Sequence, residues 1–411
     1  MKQFFLKKYC FAAIFLGFLF GFSALNLLYG AEEWKKLGEE LCQVEDISML
    51  EVWTRDAEQE AGEEILGRIG FVEAYGSLQK ILGKREFNRF SYIRDDDGML
   101  YYGALMDSDN SDLEEYAANV RRMKEAVEQN GARFLVVVPP SKVLYGVSNV
   151  NREWPINDPN ARTDKFLNLM MENGVTAVDM RPAMQRSGRG LDELFFKTDH
   201  HWTPLAALLG VKELTGQVSK LYGDDWDPDG YYTDLSNYHS QVYQQGMLGS
   251  SGRNTGIAYA GLDDYTLLWP ECDMTFTWED YEHDTSKTGS FTEALLDEKK
   301  LTPENLYEGS MNMVYLDEVV RRDRIINHSN PDGPKLTVLR DSYFSPMACF
   351  LAPMCSEIDM MWGRRSRNDM DFETFIRESE ADYVILEIYP YDLTKESFDF
   401  FQTVKKQGGG T

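Results

Sequence analysis

Apolar runs alternate with helical stretches through much of this chain. Five runs lack polar alternation: Phe134–Val138, Val175–Val178, Leu336–Leu339, Ile358–Trp362 and Tyr383–Ile388. Helical patterns stand between them at 111–131, 161–173, 203–223 and 371–379, and Thr203 followed by Pro204 is typical of a helix start. Strands without alternation that are separated by helices are typical of a parallel sheet covered on both faces. The pattern therefore predicts an α/β fold.

Residues 224–334 interrupt this pattern. They are rich in Gly, Asp, Tyr and Trp and show no sustained period, so we expect an irregular aromatic insert. Its aromatic rings are compatible with stacking on sugar rings, although packing into a small core of its own is the favoured interpretation. The insert would lie within a globular domain at 86–400, followed by a flexible tail at 401–411.

The N-terminus has the pattern of a membrane anchor. Residues 1–8 are lysine-rich, residues 9–28 are almost wholly apolar, and a charged helical stalk is predicted at 29–85. The apolar stretch is long enough to span a bilayer, and Tyr29 at position −3 disfavours signal cleavage after Ala31. We therefore expect an uncleaved transmembrane signal anchor through residues 9–28, with a cytoplasmic N-terminus and the remaining chain outside.

The formal net charge of −26 argues against one class of binding partner. So acidic a chain repels phosphate backbones, and no basic stripe interleaved with aromatic residues is present, so nucleic acid is not an expected partner. The four cysteines beyond the span, Cys42, Cys272, Cys349 and Cys355, are compatible either with two disulfides or with structural thiols.

The segment Asp199-His200-His201-Trp202 carries the first candidate chemistry. In an extended or turn backbone, residues i and i+2 project to one side, so Asp199 can orient His201 as in a Ser-His-Asp system. His200 is then expected to point away. A metal site on Asp199, His200 and His201 stays open, because imidazole and carboxylate both bind zinc.

Ser342 is the candidate nucleophile. It follows the apolar run Leu336–Leu339 and precedes a helix beginning near Pro346. A strand, a sharp turn bearing serine and a helix together expose the hydroxyl and aim backbone N–H groups at a developing oxyanion. The Tyr343 N–H is the expected oxyanion donor.

Several motifs together resemble a known family. They are Val136–Lys142, Lys197–Trp202, Gly246–Gly256 and Asp341-Ser342-Tyr343. With these motifs, residues 90–395 resemble the SGNH hydrolase-like domain of the alginate O-acetyltransferases and, more closely, the bacterial DHHW proteins. The resemblance implies a flavodoxin-like, SGNH hydrolase-type parallel sheet with helices on both faces.

The resemblance also implies an activity. Asp199, His201 and Ser342 would form the catalytic triad of an O-acetyltransferase that needs no cofactor and no metal. Its acceptor would be a cell-surface polysaccharide of the cell envelope, and its acetyl donor a multi-span membrane-bound O-acyltransferase. The same triad also suits a carbohydrate esterase, and the same fold a non-catalytic glycan-binding or assembly protein.

The rest of the oxyanion and substrate site is less defined by the sequence. Arg340 replaces the glycine that precedes Asp-Ser in ordinary SGNH hydrolases, and no block supplies an obvious oxyanion asparagine. The loop containing Gly249 and Asn254 would either offer such donors or pack tightly beside the site. Arg365, which follows the run Ile358–Trp362, is a further candidate for contacting substrate.

Overall fold

The computed structural model describes residues 2–42, 50, 53–54, 57, 65–103, 113–150, 153–301, 306–307, 311–317, 320–363, 374–376 and 380–398. The contacts between residues divide the chain into two compact units, Met1–Tyr75 and Gly76–Thr411. The predicted tail at 401–411 lies outside the described residues, as does all of the predicted helix 371–379 except 374–376.

Helices and strands alternate along the chain. The α-helices are α1 (Lys2–Tyr29), α2 (Ala31–Leu41), α3 (Arg68–Ile81), α4 (Leu113–Gln129), α5 (Asn160–Glu172), α6 (Arg181–Arg186), α7 (Leu191–Leu194), α8 (Pro204–Tyr222), α9 (Ser250–Thr255), α10 (Ile257–Ala260), α11 (Phe291–Leu295), α12 (Phe344–Leu351) and α13 (Lys395–Phe398). Short 3₁₀ turns lie at Leu235–Asn237, Glu298–Leu301, Met311–Val314, Ala352–Met354 and Pro390–Asp392. The strands are β1 (Glu86–Phe87), β2 (Tyr92–Arg94), β3 (Leu100–Tyr102), β4 (Arg133–Val138), β5 (Ala177–Asp179), β6 (Tyr238–Met247), β7 (Asp263–Pro270), β8 (Phe276–Asp280), β9 (Thr285–Gly289), β10 (Arg322–Asn327), β11 (Lys335–Arg340), β12 (Glu357–Trp362) and β13 (Tyr383–Glu387).

The first unit contains the apolar N-terminal helix. Within α1, the 21 residues Tyr9–Tyr29 are predominantly apolar, and among the described residues this is the one helix both long enough and apolar enough to cross a membrane. At about 1.5 Å per residue the segment reaches the thickness of a hydrocarbon core. The Asn26 side chain near its end accepts a hydrogen bond of 2.7 Å from the Leu66 N–H.

The second unit is built on an eight-stranded sheet in the order β5-β4-β13-β11-β12-β10-β8-β9. The strands from β5 to β12 pair in parallel, whereas β10, β8 and β9 continue the sheet antiparallel. The predicted α/β fold with a parallel sheet is confirmed. Its antiparallel extension was not expected from the sequence.

Both faces of this sheet are buried, which explains the apolar runs. In β4, Leu135 and Val137 belong to one core cluster, while Phe134 and Val136 belong to the cluster on the opposite face. Helices α8 and α12 pack on the first face, and α4 and α5 pack on the second. All five cysteines are free thiols, two of which are buried in the first cluster.

Helix α8 begins and ends as the sequence predicts. The Thr203 hydroxyl accepts a hydrogen bond of 3.3 Å from the Ala206 N–H, and Pro204 occupies the first helical position. Gly223 ends the helix with a φ of 78°, a left-handed conformation that glycine adopts without strain. The N-terminus of this core helix therefore has a fixed position immediately after the Asp-His-His-Trp segment.

The expectation of an irregular insert at 224–334 is wrong in one respect. This range contributes the β6–β7 ribbon and three strands of the main sheet, β8, β9 and β10. In β10, the buried Asp323 and Ile325 alternate with the half-buried Arg322 and Arg324. Because charged residues occupy so many of these positions, the strand lacks the apolar signal by which the parallel strands are recognised.

Candidate active site

Ser342 lies in a sharp turn at the carboxyl end of a central strand. Strand β11 ends at Arg340 and α12 begins at Phe344, so the predicted strand, turn and helix surround the serine as expected. The Ser342 side chain is partly exposed, whereas its neighbours Asp341 and Tyr343 are buried. This geometry leaves the hydroxyl accessible.

The Asp199–His201 segment reaches Ser342 from a different part of the chain. It lies between the short helix α7 and helix α8, and one isolated bridge joins Phe195 to Trp202 on either side of it. The Trp202 indole N–H donates a hydrogen bond of 3.2 Å to the Tyr343 carbonyl. That bond joins the segment to the turn that holds Ser342.

Asp199, His201 and Ser342 form a continuous hydrogen-bonded chain. His201 Nδ1 is 2.5 Å from Asp199 Oδ1, and His201 Nε2 is 2.7 Å from Ser342 Oγ. The His201 N–H also donates to Asp199 Oδ1 at 2.9 Å, which fixes the turn between them. Both distances from the imidazole lie within hydrogen-bond reach, as a nucleophile, base and orienting acid require.

The Asp199 carboxylate is stabilised in its charged form. Burial alone would raise its pKa, but the His201 and His200 imidazoles and the Ser250 N–H together hold the pKa well below its usual range. The Ser250 N–H donates to Asp199 Oδ2 at 2.6 Å. The second carboxylate oxygen is therefore held by the backbone while the first faces His201.

The N–H predicted to bind the oxyanion has another partner. The Tyr343 N–H donates a hydrogen bond of 2.8 Å to Asp341 Oδ1, because the aspartate side chain caps the turn two residues ahead of it. The expectation that Tyr343 supplies an oxyanion donor is therefore wrong in this structure. The Ser342 N–H has no hydrogen-bond acceptor among the described residues.

The glycine-rich loop packs beside the site instead of supplying oxyanion donors. The Gly249 N–H donates to Thr198 Oγ1 at 2.8 Å, and Asn254 Nδ2 donates to the Tyr92 hydroxyl at 2.9 Å. Of the two roles predicted for the loop of Gly249 and Asn254, these bonds favour tight packing beside the site, because both donors are already engaged. Arg365 lies outside the described residues.

Comparisons with known proteins find a family model and solved structures that resemble this chain. Residues 95–246 match the family model described as "SGNH hydrolase-like domain, acetyltransferase AlgX". A DHHW family protein from Eubacterium siraeum has the same fold, with a TM-score of 0.57 and 18% identity over 76% of this chain and 94% of that one. This chain has an SGNH hydrolase-like fold.

Other relatives of the SGNH hydrolase-like fold support the same assignment. PatB1 of Bacillus cereus, solved with a sulfonyl adduct, gives a TM-score of 0.58 and 15% identity over 75% of this chain and 97% of that one. The Pseudomonas putida protein named "Probable alginate O-acetylase AlgJ" is 26% identical over 30% of this chain and 32% of its own length. The matches span 26% to 55% of the lengths of the curated relatives. The predicted resemblance to DHHW proteins and to alginate O-acetyltransferases is confirmed.

His200 lies against the Asp199–His201 pair. Its ring centroid is 3.9 Å from that of His201, and its Nδ1 is 3.4 Å from Asp199 Oδ1 and 3.2 Å from Ser250 Oγ. The expectation that His200 points away is therefore wrong. The ring is partly exposed and lies 5.8 Å from the ring of Tyr102.

Asp199, His200 and His201 are also the residues of the alternative metal site that the sequence left open. Their potential ligand atoms all lie within 4.8 Å of one another. However, one Asp199 oxygen bonds to His201 and the other to Ser250, while His201 Nε2 bonds to Ser342. These hydrogen bonds suit proton transfer better than they suit metal coordination.

A buried carboxyl pair beneath Ser342 was not predicted. Asp341 Oδ2 accepts from the Tyr389 N–H at 2.9 Å, and the Asp341 N–H donates to Glu387 Oε2 at 2.9 Å. Burial, followed by the nearby charge of Asp341, raises the pKa of Glu387 well above its usual range. The one signal in the sequence is a glutamate directly after the apolar Tyr383–Leu386.

Proposed function

We propose that this chain is a membrane-anchored O-acetyltransferase that modifies a cell-surface polysaccharide through an acyl-serine intermediate. One observation carries the proposal. His201 Nε2 lies 2.7 Å from Ser342 Oγ, while its Nδ1 lies 2.5 Å from the charged Asp199. A nucleophile, a base and an orienting acid in that order are what serine acyl transfer requires.

In the first step, Ser342 is acylated. Its Oγ attacks the carbonyl carbon of the acyl donor while His201 Nε2 takes the hydroxyl proton. The intermediate then collapses, the bond to the leaving group breaks, and His201 returns the proton to that group. Asp199 holds the imidazole in the tautomer that presents Nε2, and the Ser342 N–H, which has no acceptor among the described residues, would donate to the developing oxyanion.

In the second step, an acceptor hydroxyl resolves the acyl-serine. His201 takes the proton of that hydroxyl as its oxygen attacks the ester carbon. The bond from carbon to Ser342 Oγ then breaks, and the serine oxygen recovers the proton from His201. A sugar hydroxyl as acceptor gives transfer, whereas water gives hydrolysis.

The names of the relatives support acetyl as the acyl group and a polysaccharide as the acceptor. Curated relatives are named alginate O-acetylases, and the matching family model describes an acetyltransferase. Tyr9–Tyr29 would anchor the domain outside the cytoplasm, where a multi-span membrane-bound O-acyltransferase would supply acetyl groups. Carbonate-resistant membrane association, lost when residues 1–30 are removed, is the expected result of fractionation.

The acyl-enzyme gives the direct test. We expect incubation of the full chain with an activated acetyl ester to add one acetyl mass to the peptide containing Ser342, and Ser342→Ala to remove that adduct. Ser286→Ala, which changes an exposed serine in β9, is the matched control and should acylate normally. Equal labelling of the Ser342→Ala variant would disprove the proposal.

The acceptor distinguishes transfer from hydrolysis. Acetylated enzyme mixed with a soluble glycan should give acetylated glycan faster than it gives free acetate. Free acetate alone, with every glycan supplied, would make the chain an esterase with the same triad. An intact fold with no acylation would favour a glycan-binding or assembly protein.

A further inference from the structure

Lys142 is a buried lysine that the proposed chemistry does not use. It belongs to the motif Val136–Lys142 and follows β4 after two prolines and a serine. Its side chain is buried, and Nζ donates to the Leu100 carbonyl at 2.9 Å and to the Lys197 carbonyl at 3.1 Å. The ammonium therefore binds the backbone two residues before Asp199.

The buried carboxylate of Asp263 binds the N–H groups of the same stretch of backbone. Asp263, at the start of β7, accepts from the Lys197 N–H at 2.7 Å and from the Thr198 N–H at 2.8 Å. The Thr198 hydroxyl donates to the same carboxylate at 2.6 Å. Lys197 is thus held through its carbonyl by Lys142 and through its N–H by Asp263.

From Thr198, a series of hydrogen bonds continues to Asp199, the acid of the proposed triad. Thr198 Oγ1 accepts the Gly249 N–H at 2.8 Å, and the Thr198 carbonyl accepts the Gly252 N–H at 2.8 Å. The loop fixed in this way presents the Ser250 N–H to Asp199 Oδ2 at 2.6 Å. A change at Lys197 and Thr198 is therefore transmitted to the carboxylate that orients His201.

We propose that Lys142 and Asp263 are positioning residues that clamp the Lys197–Thr198 backbone, and that the charged form of Lys142 is needed to hold Asp199 in its active geometry. The inference rests on the proposed acyl-transfer function. It assigns a role to a motif that the triad leaves unexplained.

The surroundings of Lys142 make its charge responsive to moderately alkaline pH. Burial lowers its pKa to about 8, although the carboxylates Asp263, Asp199 and Asp95 oppose that shift. The other titratable groups that line the cavity beside it are Tyr101, Tyr102, His200, Tyr389 and Tyr391. Burial raises the pKa of Tyr101, Tyr102 and Tyr389, which therefore stay neutral in this range.

Activity and stability should consequently respond to pH in opposite directions. The folded-state pKa of Lys142, about 8, is below its unfolded value, so folding disfavours its charged form. The contribution of Lys142 to stability is least favourable below pH 8 and improves as the pH rises toward about 10.4. Loss of the charge nevertheless weakens both charge-assisted hydrogen bonds to the backbone, so acylation should slow over the same range.

Wild-type protein gives the first test without any substitution. The rate of Ser342 acylation by a neutral acetyl ester, corrected for spontaneous ester hydrolysis, should fall with an inflection near pH 8. Thermal unfolding over the same range should show no parallel loss of stability. An acylation rate that stays level from pH 7 to pH 9.5 would overturn the inference.

Substitutions give the second test. In Lys142→Arg the charge persists, so the alkaline inflection should move above pH 9.5. In Lys142→Met kcat should fall about 100-fold at pH 7, with little change in KM, as expected for a catalytic group displaced by about 1 Å, and the inflection near pH 8 should disappear. Lys212→Met, which removes an exposed lysine from α8, is the matched control and should leave the profile unchanged.

Hydrogen exchange separates this inference from the proposed function. At one pH, Lys142→Met should speed exchange of the Lys197 and Thr198 amides relative to Lys212→Met. Unchanged exchange at these amides together with an unchanged pH profile would refute the clamp. Faster exchange in a protein whose wild type never acylates would instead refute the acyl-transfer function and leave the clamp in place.

Discussion

Asp199 and Glu387 are two buried carboxyl groups beside Ser342, and their neighbours shift the two pKa values in opposite directions. Burial would raise the pKa of Asp199, but two imidazoles and a backbone N–H lower it well below its usual range. Burial and the charge of Asp341 both raise the pKa of Glu387. The surroundings of Asp199 therefore favour the charged form that orients His201, while those of Glu387 favour its neutral form beside a second acid.

The raised pKa of Glu387 favours its protonated form in the folded chain, so stability should depend on pH. Above about pH 4.3 the unfolded chain loses this proton and the folded chain does not, so the free energy of unfolding falls as the pH rises. Glu387→Gln removes this titration and keeps an oxygen for the Asp341 N–H. We expect the variant to be more stable than wild type at pH 7 in urea unfolding.

The slope of the unfolding free energy against pH is the measurement that tests this prediction. Between pH 5 and pH 7, the loss of unfolding free energy should be smaller in Glu387→Gln than in wild type. Glu172→Gln, which changes an exposed glutamate at the end of α5, should keep the wild-type slope. Equal slopes in all three proteins would show that Glu387 is ionised in the folded state.

Gly249 is required because a backbone approaches Asp199 closely. A Cβ at position 249 would lie 2.2 Å from Asp199 Cβ and 2.6 Å from Asp199 Oδ2. Gly249→Ala should therefore displace the carboxylate, lower the free energy of unfolding by about 1–3 kcal/mol and lower the acylation rate. In α8, a Cβ at Gly216 would meet nothing within 4 Å, so Gly216→Ala should stabilise by about 0.5–1 kcal/mol. Wild-type activity in Gly249→Ala would contradict the tight packing.

At the scale of elements, a buried ion pair joins the parallel strands to the antiparallel extension. Arg340 in β11 donates to Asp323 in β10 at 2.7 Å, and both side chains are fully buried. The Trp278 indole of β8 donates to the other Asp323 oxygen at 3.1 Å. Arg340, which departs from the SGNH pattern, thus links the strand that precedes Ser342 to two of the three strands that extend the sheet.

This pair gives a prediction about stability. Asp323→Ala leaves the Arg340 guanidinium buried without its carboxylate, so the free energy of unfolding should fall by about 3–5 kcal/mol. The double variant Arg340→Met with Asp323→Leu should recover most of that loss, because it removes both buried charges. Glu128→Ala breaks the exposed pair with Lys124 and should cost at most about 1 kcal/mol. A double variant as unstable as Asp323→Ala would contradict the ionic explanation.

The elements also explain which features could be predicted from the sequence. The parallel strands are buried on both faces, so apolar runs such as Phe134–Val138 mark them to within two residues. Strand β10 mixes charges with its buried positions, and its partner strands are found only through long-range pairing. The Asp199–His201 pair followed from its spacing, whereas the engagement of the Tyr343 N–H by Asp341 depends on which rotamer the aspartate adopts, because its position in the sequence permits this cap but does not require it.

At the scale of the whole molecule, the strong negative charge bears on the acceptor. The chain carries 68 acidic residues against 42 basic ones, a formal net charge of −26. A polymer of uronic acids, such as alginate, carries about one carboxylate per sugar and is repelled by such a surface. A neutral glycan is not repelled by this surface. The charge of the acceptor should therefore set how the transfer rate depends on salt.

Raising the ionic strength tests this dependence, because it shortens the Debye length from about 30 Å at 0.01 M to about 10 Å at 0.1 M. With an anionic polysaccharide as acceptor, kcat/KM for transfer should rise across this range as repulsion is screened. With a neutral polysaccharide of matched length it should stay level, and acylation by a small neutral ester should not change in either case. A rate that falls with salt for the anionic polymer alone would mean that a local positive groove outweighs the charge of the whole molecule, and would favour an acidic glycan as the natural acceptor.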